Sequence, residues 1–125
     1  MTTVLALILV VLPSQFLDKP TASTQVPRVE RLASQLHIGN KLDHWVIIVT
    51  DFPEYQRRAV AGGVYGADMY SAFTDPATKT TYINADWLAW GVTDKKLLHV
   101  LRHEAGHLIC GCVDEDRADE TGAKL

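Results

Sequence analysis

Cysteine is scarce in this chain of 125 residues: only Cys110 and Cys112 occur. That excludes a disulfide framework of the kind that staples small secreted domains. Set two apart, the pair bridges poorly, so both are expected to be buried reduced thiols, with metal ligation by either as the alternative. Basic charge is not in excess either. Lys and Arg number 12 against 15 Asp and Glu, giving a formal charge of −3, and the basic residues are scattered. Nucleic acid is therefore not an expected partner. Repeats and low-complexity segments are absent. Gly62, Gly63 and Gly66 fall in a loop without the strand-to-helix setting or the Lys-Ser/Thr of a phosphate cradle, which excludes a nucleotide site there.

Long apolar runs are missing as well. The stretch from Val4 to Leu12 is too short to span a bilayer but suffices for the core of a signal peptide, and Thr21-Ala22-Ser23 can host cleavage. Against that, Met1-Thr2-Thr3 carries no Lys or Arg, and the other reading is a short buried strand or helix. Residues 1–24 are accordingly set apart as a signal, anchor or flexible segment, and residues 25–125 are read as one domain with a single modest core. A secreted or membrane-proximal location follows if residues 4–12 are a signal core, and a cytoplasmic one otherwise. A membrane is a partner only if that segment is retained.

What is present is concentrated near the C-terminus. His103-Glu104-Ala105-Gly106-His107 reads H-E-x-x-H on a helical pattern that starts at Thr93 or Asp94, either of them a suitable N-cap, and stops at Gly111. Residues four apart on a helix are separated by one turn and drift by about 40°, so both imidazoles can reach one cation. Glu104 then sits where it can hold a water and take its proton. Leu97, Leu98, Leu101, Ala105, Leu108 and Ile109 fill a different arc of the wheel, so the histidines are not part of the aliphatic stripe. Ala105 and Gly106 are small and leave room for a strand or a substrate to lie close. His99, one further turn back, drifts too far to share a tetrahedral ion and is read as a surface residue or an outer partner.

A catalytic zinc takes three protein ligands and keeps one position for water. The pattern H-E-x-x-H-x-x-G-x-x-H/D would put the third at Val113, which cannot serve, and Asp114 misses by one residue. Glu115, Ala118 and Asp119 instead give E-x-x-A-D. With H-E-x-x-H, this resembles the gluzincins, in particular the small intracellular or phage-associated SprT- and ImmA-type peptidases and the M48 type. The resemblance implies Zn2+ held by His103, His107 and Glu115, with Asp119 orienting a ligand histidine. Asp114 or Asp119 remain alternatives as the third ligand. Without any metal, the acidic run also suits a helix start, with Asp114 as N-cap and Glu115 and Asp116 facing the dipole. The link from His107 to Glu115 is shorter than in most gluzincins, so a tight turn at Gly111 must fold the second helix back. Peptide deformylases pair a Cys with H-E-x-x-H, but their upstream Cys motif is absent here.

The upstream pattern predicts a short helix over Arg28 to Leu36, a buried strand at Trp45 to Thr50, and a hairpin with arms Tyr70 to Thr74 and Lys79 to Asn84. The expected architecture is α+β: a zincin-like minimal metallopeptidase domain, its small sheet with an edge strand packed on the H-E-x-x-H helix, followed by a short C-terminal helix. In the resembled families the strand before the metal helix lines the cleft, which makes Tyr82, Ile83 and Asn84 candidate substrate contacts; plain sheet positions are the other reading. Tyr70, Tyr82 and His44 are candidates for stabilising an oxyanion. The expected function is zinc-dependent hydrolysis of a protein or peptide, with Glu104 as the catalytic base. The alternatives are an inactive regulatory or protein-binding module of the same fold, and a zinc hydrolase with a non-peptide substrate. A purely structural site has no use for Glu104, which weighs against the module.

Overall fold

The computed structural model describes residues 7–11, 21–36 and 44–125. Leu7–Val11 is strand β1, Thr21–Ala33 helix α1, Trp45–Thr50 strand β2 and Phe52–Ala61 helix α2. A single 3-10 turn at Gly66–Met69 leads into the hairpin of β3, Ala72–Asp75, and β4, Thr80–Asn84. Three helices complete the chain: α3 (Ala85–Ala89), α4 (Asp94–Cys110) and α5 (Glu115–Gly122). The α+β class expected from the pattern is the one observed.

The strands form one sheet in the order β1-β2-β4-β3. β1, β2 and β4 are parallel, and β3 runs antiparallel to β4 at an edge. Alternation along β2 sends Trp45, Ile47 and Val49 into a core shared with Ile83 of β4, Val29 and Leu32 of α1, and Leu97, Leu101 and Ala105 of α4. On the opposite face Tyr55 and Ala59 of α2 pack against Phe73, with Tyr82 alongside. The hairpin turn is held by the Asp75 carboxylate, which accepts from the Ala77 N–H at 3.0 Å.

Several expectations change. The apolar N-terminal run is not idle: its Leu7–Val11 part forms β1, in register with Trp45 to Val49. The proposed boundary at residue 24 falls inside α1, and Ala22, in the supposed cleavage region, is buried with its N–H donated to Asp51 Oδ1 at 3.1 Å. The rest of that run, Val4 to Ala6 and Leu12, and the polar stretch after it lie outside the described residues. Helix α1 starts before Pro27 and ends at Ala33, rather than running from Arg28 to Leu36. A proline inside a helix breaks the expected pattern, but buried Ala22, Val29 and Leu32 hold both halves of α1 against the core. Among the described residues no helix is long and apolar enough to cross a membrane.

The substrate-contact assignment on β4 also needs correction. β4 is hydrogen-bonded on both sides, by β2 and β3, so its backbone has no free edge. Ile83 and Asn84 are fully buried. Asn84 accepts from Asp86 N at 3.0 Å to cap α3, and its amide donates to the Tyr70 carbonyl at 2.9 Å. Tyr82 lies on the face away from α4, stacked on Phe73 at 4.9 Å between centroids. Among the described residues the free edge beside α4 belongs to β3.

Candidate metal centre

Helix α4 is defined by its ends. Thr93 is the N-cap, its hydroxyl accepting from Lys96 N at 3.1 Å, and Gly111 is the C-cap at φ 62°, a left-handed conformation suited to glycine. The reversal at Gly111 brings the chain back at once. Asp114 then caps α5, accepting from Arg117 N at 3.1 Å. This assigns Asp114 to the backbone of α5, while Glu115 and Asp119 reach the histidines of α4.

The two helices meet without intervening side chains. A Cβ on Gly106 would lie 2.0 Å from the Ala118 carbonyl oxygen, and one on Gly122 would lie 2.1 Å from the Arg102 carbonyl oxygen. The small face of α4 therefore receives α5 rather than a strand or substrate. Gly106→Ala gains helix propensity of about 1 kcal/mol, but overpacking typically costs about 1–3 kcal/mol and here the obstacle is backbone. The expected outcome is net destabilisation, measured as a lower denaturation midpoint. Metal affinity should fall with it, because α5 carries Glu115 and Asp119. A Gly106→Ala protein with unchanged midpoint and affinity would contradict this packing.

Three donor atoms converge. His103 Nε2 and His107 Nε2 are 3.2 Å apart, and Glu115 Oε1 is 2.8 Å from each. The other ring nitrogens are engaged: His103 Nδ1 with Asp119 Oδ1 at 2.6 Å, and His107 Nδ1 with the Cys112 carbonyl at 2.9 Å. A carbonyl only accepts, so His107 Nδ1 carries the proton and its Nε2 presents a lone pair. The Asp119 carboxylate does the same for His103. With both rings protonated at Nδ1, three lone pairs face one point, an arrangement that a cation satisfies. Around a tetrahedral ion bound at zinc–nitrogen distances, donors are separated by roughly 3.3 Å, close to the spacing seen. The cluster His103, His107 and Glu115 is able to hold a metal ion.

Glu104 sits next to this cluster but turns to the sheet. It is buried, and its Oε1 accepts from Thr74 Oγ1 at 2.7 Å. Thr74 Oγ1 is in turn 2.7 Å from Thr81 Oγ1, which accepts from Trp45 Nε1 at 2.8 Å. An indole N–H can only donate, so the relay runs from Trp45 through Thr81 and Thr74 to the carboxylate. Burial pushes the Glu104 carboxyl up to about 7, while the Thr74 hydrogen bond works against that rise. Burial pulls the His103 imidazole down, but its bonds to Asp119 and Glu115 outweigh this and hold it above its ordinary value.

Two contributors were not among the expected residues. Thr74 shares its strand face with Ala72, so a hydroxyl on the inward side of β3 was the available signal. Asp68, on the 3-10 turn over the site, had none. Burial, followed by the charge of Glu115, raises its carboxyl above the usual range. The Asp68 carbonyl accepts from the buried Tyr55 hydroxyl, which ties the turn to α2.

A cavity of about 450 Å³ opens beside His103 and Glu104, with Asp68, Tyr70, Lys96 and His99 in its wall. His99 lines this cavity and makes no bond to the cluster, in line with a surface or outer role. Of the oxyanion candidates only Tyr70 borders the cavity; Tyr82 faces the other side of the sheet, and His44 lies exposed before β2. Cys110 and Cys112 are not reduced thiols: they form a disulfide with Cα atoms 5.2 Å apart. The left-handed Gly111 between them turns the chain enough to bring the two side chains together, which spacing alone did not suggest. No family model, curated protein or solved structure matches the chain.

Proposed function

We propose that this chain is a zinc-dependent metallopeptidase of gluzincin type. One observation carries the reading: two imidazole Nε2 atoms and a carboxylate oxygen meet within 3.2 Å, with the buried carboxylate of Glu104 on the same helix. Two histidines and one glutamate are a donor set used for catalytic zinc, which commonly takes water as its fourth ligand. Zinc held by His103, His107 and Glu115 would supply Lewis acidity, polarising a carbonyl and lowering the pKa of water. The protein's own residues supply the rest. Glu104 accepts a proton from the attacking water and returns it to the leaving amine, with the Thr74 hydroxyl fixing its orientation. Asp119 and the Cys112 carbonyl keep each imidazole turned with Nε2 inward. β3, free on its outer edge among the described residues and adjoining Glu104 through Thr74, offers backbone groups to an extended peptide.

The reading also accounts for Glu104 better than a structural metal site does, since nothing in such a site needs a further buried carboxylate. Incubation of the zinc-loaded protein with a mixed peptide library, followed by mass spectrometry, tests it. The expected result is new peptide termini that disappear with a chelator and return with zinc. A library left intact by the zinc-loaded protein would overturn the peptidase reading.

A further inference from the structure

The cavity beside Glu104 is polarised along its length. At the metal end its acidic groups are engaged: Asp119 holds His103, Glu104 accepts from Thr74, and Asp68 faces Glu115. At the other end, Lys96 and His99 stand two turns and one turn before His103 on α4. Among the described residues neither Lys96 Nζ nor either His99 ring nitrogen has a hydrogen-bond or ion-pair partner. Trp87, half-buried, and Val100 add apolar lining to the cavity. An ammonium in a cavity wall, with no acid of its own, is a ready receiver for an anion.

Strand direction says which part of a peptide arrives there. β3 runs from Ala72 to Asp75, and the residues just before it, Tyr70 and Ser71, border the cavity. A peptide paired antiparallel to β3 passes Asp75 first and Ser71 last, so its C-terminal portion enters the cavity. Resting on the peptidase reading, we infer that Lys96 and His99 form an anion subsite that receives a carboxylate on the leaving-amine side of the substrate. The carboxylate comes from an Asp or Glu side chain or from the free C-terminus of a short peptide.

Calorimetric titration of the zinc-loaded protein with three small probes separates these sources. N-acetyl-aspartate amide carries only a side-chain carboxylate, N-acetyl-alanine only a terminal one, and N-acetyl-alanine amide none. At least one carboxylate probe should bind about 3- to 10-fold more tightly than the amide, as a partly exposed charge-assisted contact provides. Lys96→Ala should erase that preference and Lys96→Arg should largely restore it. A carboxylate bound to the metal itself would be indifferent to Lys96, so it does not mimic this result. Whichever probe depends on Lys96 identifies the source. Equal binding of all three probes, no binding of any, or a preference that survives Lys96→Ala overturns the subsite. If no peptide is cleaved but the Lys96-dependent preference remains, the peptidase reading fails and the subsite stands.

Discussion

Glu104→Gln should lower peptide hydrolysis by about 10²- to 10⁴-fold, the usual contribution of a positioned general base, and leave metal binding intact. The substitution preserves the shape of the side chain and its ability to accept the Thr74 hydroxyl at the oxygen now 2.7 Å away. It removes only the capacity to take up a proton. Glu104 is not among the converging donor atoms, so the metal stoichiometry should match the wild type. The buried position also becomes easier to fill, because a neutral amide pays no charge-desolvation cost there. Stability should therefore hold or rise while turnover falls, and steady-state kinetics with thermal unfolding on the same sample measures both. Normal turnover by Glu104→Gln would show that the base lies elsewhere.

Glu115→Ala should weaken zinc binding severely, since it removes one of three donors and the only one carrying a formal charge. Asp119→Ala leaves all three in place and frees only His103 Nδ1, so its cost should be on the order of 10- to 100-fold in affinity. Asp114→Ala is the control. Its carboxylate caps α5 at Arg117 N, so its loss should cost stability of about 0.5–2 kcal/mol. Competition titration against a zinc chelator ranks the three. An order with Asp114→Ala worst and Glu115→Ala near wild type would shift the ligand by one residue.

How much of this was legible in the sequence depends on how local the cause is. Helix α4 could be read from end to end because its cap, its apolar stripe and its terminal glycine lie within its own residues. The hairpin was placed to within two residues for the same reason, since Asp75-Pro76 carries turn chemistry of its own. The short link from His107 to Glu115 was readable as a demand for a tight turn at Gly111, and that turn is present.

Non-local causes stayed hidden. Which arm of the hairpin becomes interior depends on which one meets β2, and nothing inside either arm states that. The run containing Leu7–Val11 suits a signal core and a buried strand equally, and its partner Trp45–Thr50 is far along the chain. Asp68 is carried by a turn that Tyr55 of α2, distant in sequence, helps tie down. The Cys110–Cys112 bond depends on a backbone conformation at Gly111 that composition does not announce.

The proposed chemistry requires that His103, His107 and Glu115 together hold a single metal ion. Elemental analysis of the folded, full-length protein, supplied with zinc at neutral pH and then freed of loosely bound metal, tests it most directly. About one zinc per chain is expected in the wild type and little in His103→Ala or His107→Ala, since each variant lacks one of three ligands. A folded wild-type protein that retains no zinc, or histidine variants that retain as much as the wild type, would contradict it.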